Sequence, residues 1–153
     1  MSGEALLFLH LAGAFLFVGG GLTATLLRVA AVRQSTPAAI AVLLRAVRPV
    51  VPVVAVGLVT AIGFGALLAH RLGYSYGSAW LAETYGLLAW LLLVGAFAGR
   101  QDRRTRELAD RLARDGGDSP ELHARLRDPV NLALNGSLLV TTLAIVALMV
   151  WKP

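Results

Sequence analysis

The chain has 153 residues, of which 57% are hydrophobic and only 15% are charged. A typical soluble domain carries about 25% charged residues, so this composition argues against a soluble domain and indicates a membrane protein. The net charge is +5, and the absence of cysteine excludes disulfides, thiolate catalysis and cysteine metal ligands.

Four apolar segments dominate the chain, and the only Asp, Glu, Lys or Arg within them is Glu83. A helix rises about 1.5 Å per residue, so about 20 apolar residues cross a hydrocarbon core about 30 Å thick. The sequence therefore predicts an all-α membrane protein. It forms one domain over 1–153, a four-transmembrane-helix bundle with short cytoplasmic helical connections and spans at about 5–27, 49–70, 79–99 and 129–151.

Capping residues predict where the connecting helices begin. Thr36 before Pro37 is typical of a helix start, and this short helix is expected at the cytoplasmic interface or leading into the second span. Ser119 before Pro120 predicts a second short helix, and Asp128 is expected to cap the fourth span.

Beyond the third span the helical pattern continues into water until Gly116 and Gly117. Acidic residues precede arginines by four positions here, an orientation that stabilises a helix by about 0.3–0.5 kcal/mol per pair. The expected pairs are Asp102–Arg106, Glu107–Arg111 and Asp110–Arg114.

Twelve of the 14 cations lie in the connections at 28–48 and 100–127, and only Arg71 and Lys152 lie elsewhere. The positive-inside rule therefore predicts that both Arg-rich loops are cytoplasmic and both termini are outside, in a bacterial-type inner (plasma) membrane. The first cation, Arg28, follows the first span, so that span is expected to be a retained helix and not a signal peptide. Nucleic acid is not an expected partner, because the larger loop also carries seven acids and no aromatic residue.

Small residues indicate how the spans pack in lipid. Gly57, Ala61 and Gly65 form one stripe at four-residue intervals, and Gly95 and Gly99 form a GxxxG pattern. Packing within the protein is the favoured interpretation, and a homodimer face is the alternative. Asn131 and Asn135, one turn apart, are expected to hydrogen-bond to a neighbouring helix.

Ionisable side chains inside a span are costly, so they are the first functional candidates. His10 and Glu83 lie within spans and His70 closes the outer end of the second. The predicted topology places all three in the outward half, within about 10 Å of one another in depth. His123 lies in the opposite connection and cannot join them.

Three interpretations of this group remain open. His10 and Glu83 could pair or bind water, with His70 marking the interface. His10, with or without His70, could bind haem b, because imidazole is a common axial ligand between bundle helices. His10 and Glu83 could instead form a divalent-metal or proton site.

Two short motifs resemble a known family. The segment LHLAGAFLFVGGG at 9–21 and the ending LMVWKP at 148–153 resemble bacterial predicted integral membrane proteins grouped as domain of unknown function 2269. The four-span layout and the length also fit. The resemblance implies a membrane fold over nearly the whole chain and no particular reaction.

The first helix is also similar to the opening of copper-resistance-D-type membrane proteins and, more distantly, of membrane protoporphyrinogen oxidases. In those oxidases a first-helix histidine serves haem, which the resemblance places on His10. They also carry a lysine in the third helix, where this chain has only Glu83.

No hydrolase constellation and no phosphate-binding glycine loop is recognisable. The sequence therefore favours a non-enzymatic integral membrane protein with an outward-side polar site that handles an ion or a cofactor. The alternatives are a haem b-binding redox membrane protein and a structural or assembly subunit of a larger membrane complex. The expected partner is the lipid bilayer, joined by a second copy or another membrane chain.

Overall fold

The computed structural model describes residues 1–75, 77–117 and 119–151, and these residues form six helices and no strand. Lys152, one of the two cations expected outside, falls beyond them. The helices in chain order are α1 (Gly3–Val32), α2 (Pro37–Ala46), α3 (Val50–Arg71), α4 (Ala79–Asp115), α5 (Pro120–Leu126) and α6 (Pro129–Trp151).

Four helical segments are long and apolar enough to cross a membrane, judged by length and composition. They contain α1, α3, α4 and α6, so the predicted all-α fold with four membrane-length helices is confirmed. The connections are helical as well, formed by α2 and α5. α4 has 37 residues. At about 1.5 Å per residue it is far longer than a hydrocarbon core about 30 Å thick, and its charged end extends well past its apolar part.

The predicted helix starts are confirmed by hydrogen bonds. Thr36, Ser119 and Asp128 each accept a backbone N–H of the helix that follows, at 3.4, 3.2 and 3.0 Å. α4 ends at Asp115, and Gly116 follows with a φ of 67°, a left-handed conformation that glycine adopts without strain.

The chain divides into two compact units: Met1–Leu27 with Ala46–Ser78, and Arg28–Arg45 with Ala79–Pro153. In the first unit, α1 and α3 pack with their backbones in contact. A Cβ on Gly13 would lie 2.6 Å from the Ala61 nitrogen, and one on Gly57 would lie 2.6 Å from the Phe17 nitrogen. Any side chain at either glycine would force the helices apart, so packing within the protein is confirmed for the α3 stripe.

The GxxxG pair of α4 behaves differently. A Cβ built on Gly95 or Gly99 meets nothing within 4 Å. Packing within this chain therefore does not account for these two glycines, and the expectation of a homodimer face stays a prediction for them.

In the second unit, α4 packs against α5 and α6. Its most buried part is a cluster that we call the connector core, because most of its members come from the two connecting helices. Seven residues form it, from the end of α1, from α2, from α4 and from α5: Ala31, Ile40, Ala41, Leu44, Ala109, Leu122 and Leu126. The densest apolar packing in the second unit thus includes α2, α5 and the charged extension of α4, which the sequence presents as two short connecting helices and a solvated helix.

Ion pairs in the second unit differ from the expected ones. Asp102 pairs with Arg28 of α1, and Asp110 Oδ1 lies 2.6 Å from Arg45 Nε of α2. These acids therefore bind arginines on other helices instead of the arginine one turn later. The expectation failed because the folded connection brings two arginines, distant in sequence, against α4.

Glu107, the remaining acid of the three expected pairs, does pair within α4, but with the arginine one turn before it instead of the one after it. Glu107 Oε1 accepts a hydrogen bond from Arg103 Nε at 2.8 Å, one turn before it. The hydrogen bond from Arg103 holds the pKa of the exposed Glu107 carboxyl below its ordinary value.

The asparagines of α6 bond locally, contrary to expectation. Asn135 Nδ2 donates to the Asn131 carbonyl at 2.7 Å, and Asn131 Nδ2 donates to Asp128 Oδ2 at 3.2 Å. A short amide side chain reaches the backbone or capping group one turn back, which satisfies it without a neighbouring helix.

We expect Asp102→Asn to lower the free energy of unfolding by about 1–2 kcal/mol. The Arg28 side chain is only 12% exposed, so it would lose its carboxylate partner where water compensates poorly. The matched control is Glu107→Gln, which removes the same charge from an exposed pair and should cause no measurable change. SDS titration followed by tryptophan fluorescence measures both variants, and equal midpoints would contradict the prediction.

Candidate functional site

The site is built around His10, which lies on α1 in the first unit. Its Nδ1 is 2.7 Å from the carbonyl oxygen of Ala61 on α3. A carbonyl oxygen only accepts, so Nδ1 carries the proton, and the tautomer that matches this hydrogen bond has its lone pair on Nε2. The hydrogen bond therefore fixes both the tautomer and the orientation of the imidazole.

Gly65 makes room for this ring. A Cβ on Gly65 would lie 2.7 Å from Nδ1 and 2.9 Å from Cε1 of His10. The imidazole thus rests directly on the α3 backbone, one turn beyond Ala61. The sequence analysis assigned Gly65 to helix packing and missed this role; the available signal was a small residue at the depth of an intramembrane histidine.

His70 lies on α3, where it is exposed. It follows Gly65 by five residues, which places it about 7.5 Å further along the helix and about 140° around it. It therefore occupies a different face of α3 from the one that receives His10. The two candidate haem ligands do not converge on one point of this hairpin.

Glu83 and His123 belong to the second unit. Glu83 is exposed near the start of α4, and His123 is half-buried on α5. Within the described residues, no group of three or more histidine, aspartate or glutamate side chains is placed to hold a metal ion. Among the candidate ligands, the imidazole of His10 has an orientation defined by its hydrogen bond to Ala61.

A groove in the second unit is a further candidate site that the sequence analysis missed. It has a volume of about 460 Å³ and lies between the charged part of α4 and α5. Its lining is mostly charged and consists of Arg104, Glu107, Leu108, Arg111, Glu121 and Arg125. The sequence predicts that these arginines orient the helices in the membrane and that Arg111 also pairs with Glu107.

Four membrane-length helices, caps at the connections and an intramembrane histidine define a multi-pass integral membrane protein. Residues 4–153 match the family described as predicted integral membrane protein (DUF2269), and the chain belongs to that family. The resemblance of 9–21 and 148–153 is thereby confirmed. Comparison with curated proteins and with solved structures gives no match.

Proposed function

We propose that this protein is a non-enzymatic membrane protein that binds an ion or a cofactor through Nε2 of His10. The hydrogen bond from Nδ1 to the Ala61 carbonyl is the observation that supports this. Metal-bound histidines almost always donate their other ring N–H to a carbonyl or carboxylate, which fixes the ring and strengthens the donor nitrogen.

Gly65 supports the same function, because the absence of a side chain there lets the imidazole lie against the α3 backbone with Nδ1 at the Ala61 carbonyl. An apolar side chain would fill this space between two helices at lower cost than an imidazole. His10 is therefore the residue on which the proposal rests.

Haem b is the alternative cofactor, and the same atoms favour it. Haem iron accepts an imidazole nitrogen, and a neutral Nε2 oriented by a backbone carbonyl suits this bond. His70 lies on another face of α3. A haem bound at this site would therefore take His10, and not His70, as its ligand from the α1–α3 hairpin.

The experiment is an absorption spectrum and a metal analysis of the detergent-purified chain, with His10→Ala and Gly65→Ala. We expect a bound chromophore or metal that His10→Ala removes and Gly65→Ala reduces severalfold, since the added methyl pushes the ring off α3. Gly63→Ala is the matched control, because a Cβ there meets nothing within 4 Å. A colourless, metal-free wild type, or identical content in all variants, would refute the proposal.

The structural or assembly role is a second candidate function. It is favoured by Gly95 and Gly99 of α4, because a Cβ built at either position meets no atom of the described residues within 4 Å. Copurification of a second copy or of another membrane chain, abolished by Gly99→Leu, is the expected result. A strictly monomeric chain in mild detergent would count against it.

The proposed location is the inner membrane, with both termini outside and the Arg-rich loops in the cytoplasm. The chain has no native cysteine, so a maleimide labels only the single cysteine that is introduced. In intact spheroplasts we expect an impermeant maleimide to label Ser2→Cys and to spare Arg127→Cys until the membrane is lysed. Labelling of both before lysis would overturn this orientation.

A further inference from the structure

We propose that the exposed arginines on one face of α4 dock an acidic helical segment of a partner protein. The face consists of Arg100, Arg104, Arg111 and Arg114, called here the arginine stripe. Arg125 of α5 joins it across the groove described above. This inference is independent of His10 and concerns only the second unit.

The spacing of the arginines places all four on one face of α4, with Glu107 between Arg104 and Arg111. They recur at intervals of four, seven and three residues, which at 100° per residue keeps them within about 80° of one another around the helix. The stripe extends over about 21 Å of helix axis. All four side chains belong to exposed residues, so the stripe is an accessible line of positive charge.

Nearby carboxylates neutralise the stripe only in part. Glu107 lies on the same face but pairs with Arg103, and Glu121 in the groove wall pairs with Arg125, both at 2.8 Å. Asp102 and Asp110 are engaged by arginines of α1 and α2. Within the described part of the chain, no ion pair joins Arg104 or Arg111 to a carboxylate, and Arg111 interacts with Glu107 only through its charge at longer range.

The geometry favours a protein over a lipid surface as the anionic partner. The apolar part of α4 ends at Gly99, and the headgroup layer extends only about 5–7 Å beyond the hydrocarbon core. Arg111 and Arg114 lie about 18 and 22 Å along the helix from Gly99, so lipid phosphates at that layer reach only the first half of the stripe. A partner that engages the whole stripe must project from the membrane alongside α4.

A helix suits this surface best. Its side chains recur every turn, about 5.4 Å, which is close to the spacing within the pairs Arg100–Arg104 and Arg111–Arg114, and one helix can lie against another in the groove beside α5. The complementary segment therefore carries two pairs of Asp or Glu on one face, each pair at three- or four-residue spacing and the pairs about two turns apart. Carboxylate–guanidinium pairs then form along both helices.

The test uses the full chain in nanodiscs of neutral phosphatidylcholine and two fluorescein-labelled peptides of about 18 residues, five helical turns. Both peptides have the same glutamate, glutamine and alanine content. In one the glutamates occupy a single face, and in the other they are spread around the helix. Fluorescence anisotropy at low ionic strength, where exposed charges are least screened, measures the two dissociation constants.

We expect the one-faced peptide to bind about tenfold more tightly than the spread one, and Arg104→Glu with Arg111→Glu to abolish that preference. Arg33→Glu with Arg127→Glu is the matched control, because both residues are exposed, lie in the same unit and change the net charge equally. Arg104→Gln with Arg111→Gln tests the same contacts without reversing charge. Equal binding of the two peptides, or equal loss in test and control variants, would overturn the proposal.

A second measurement distinguishes the membrane as the partner. A fluorophore on Arg111→Cys is placed in nanodiscs containing phosphatidylglycerol with a spin label at the headgroup. The proposal expects little quenching and an unchanged preference for the one-faced peptide. Strong quenching, with peptide binding lost, would show that the stripe lies on an anionic bilayer and would overturn the docking of a protein helix.

Discussion

Gly57→Ala should lower the free energy of unfolding of the α1–α3 hairpin by about 3 kcal/mol. The added methyl carbon would lie 2.6 Å from the Phe17 nitrogen and 2.8 Å from the Gly13 carbonyl oxygen. Both obstacles are backbone atoms, which cannot rotate away as a side chain can, so the two helices must separate. The close approach that gives the hairpin its packing in lipid is then lost.

Gly63→Ala is the control for this variant. It lies on the same helix, gains the same helix propensity of about 1 kcal/mol from the methyl group, and meets nothing within 4 Å. The difference between the two variants therefore isolates the clash. The readout is maleimide labelling of Thr60→Cys during SDS titration, because Thr60 lies against Gly13 in the hairpin. Equal labelling midpoints for Gly57→Ala and Gly63→Ala would show that the backbones are not in contact.

Ile40→Ala should destabilise the second unit by about 3 kcal/mol, as expected when a fully buried isoleucine leaves a cavity. Ile40 is 0% exposed in the connector core, where α2 packs with α4 and α5. Val42→Ala is the control, because Val42 lies on the same helix and is 63% exposed. Its effect should stay within about 0.5 kcal/mol.

Tryptophan fluorescence during SDS titration measures this effect in the right part of the molecule. All three tryptophans, Trp80, Trp90 and Trp151, belong to the second unit. A shift of the midpoint in Ile40→Ala alone is the expected result. If both variants behaved like the wild type, α2 would be a solvated connection and the connector core would not form.

The membrane-length helices and their starts could be predicted because their causes are local. About 20 apolar residues identify a span wherever they occur, and Thr36, Ser119 and Asp128 cap through bonds to residues two or three positions later. No knowledge of the tertiary structure is needed for either. The predicted spans at 5–27, 49–70, 79–99 and 129–151 accordingly lie within α1, α3, α4 and α6, or within one residue of their ends.

The connector core could not be predicted, because its residues are far apart in sequence. The apolar positions of α2 were interpreted as an interfacial helix or an entry into the next span. Their burial depends on α5, which contributes Leu122 and Leu126 from beyond two further membrane-length helices. The same distance explains why Asp102 and Asp110 were assigned to neighbours one turn away instead of Arg28 and Arg45.

The candidate site was predicted in part. His10 was identified from its cost within a span, which is a property of one residue. Its contacts with Ala61 and Gly65 require the register between α1 and α3, and no local signal specifies that register. His70 was added for its depth alone, and helix rotation places it on another face.

The connector core determines the order in which parts of the chain can pack during synthesis. Both helices of the first hairpin exist once the ribosome has passed residue 71, whereas α2, which lies between them, awaits α5. From Arg71 to Leu126 that is a delay of about 55 residues, or roughly 3–11 s at common translation rates. In a nascent chain, the α1–α3 hairpin can therefore pack while the apolar face of α2, which joins the two helices, is still exposed to the insertion machinery.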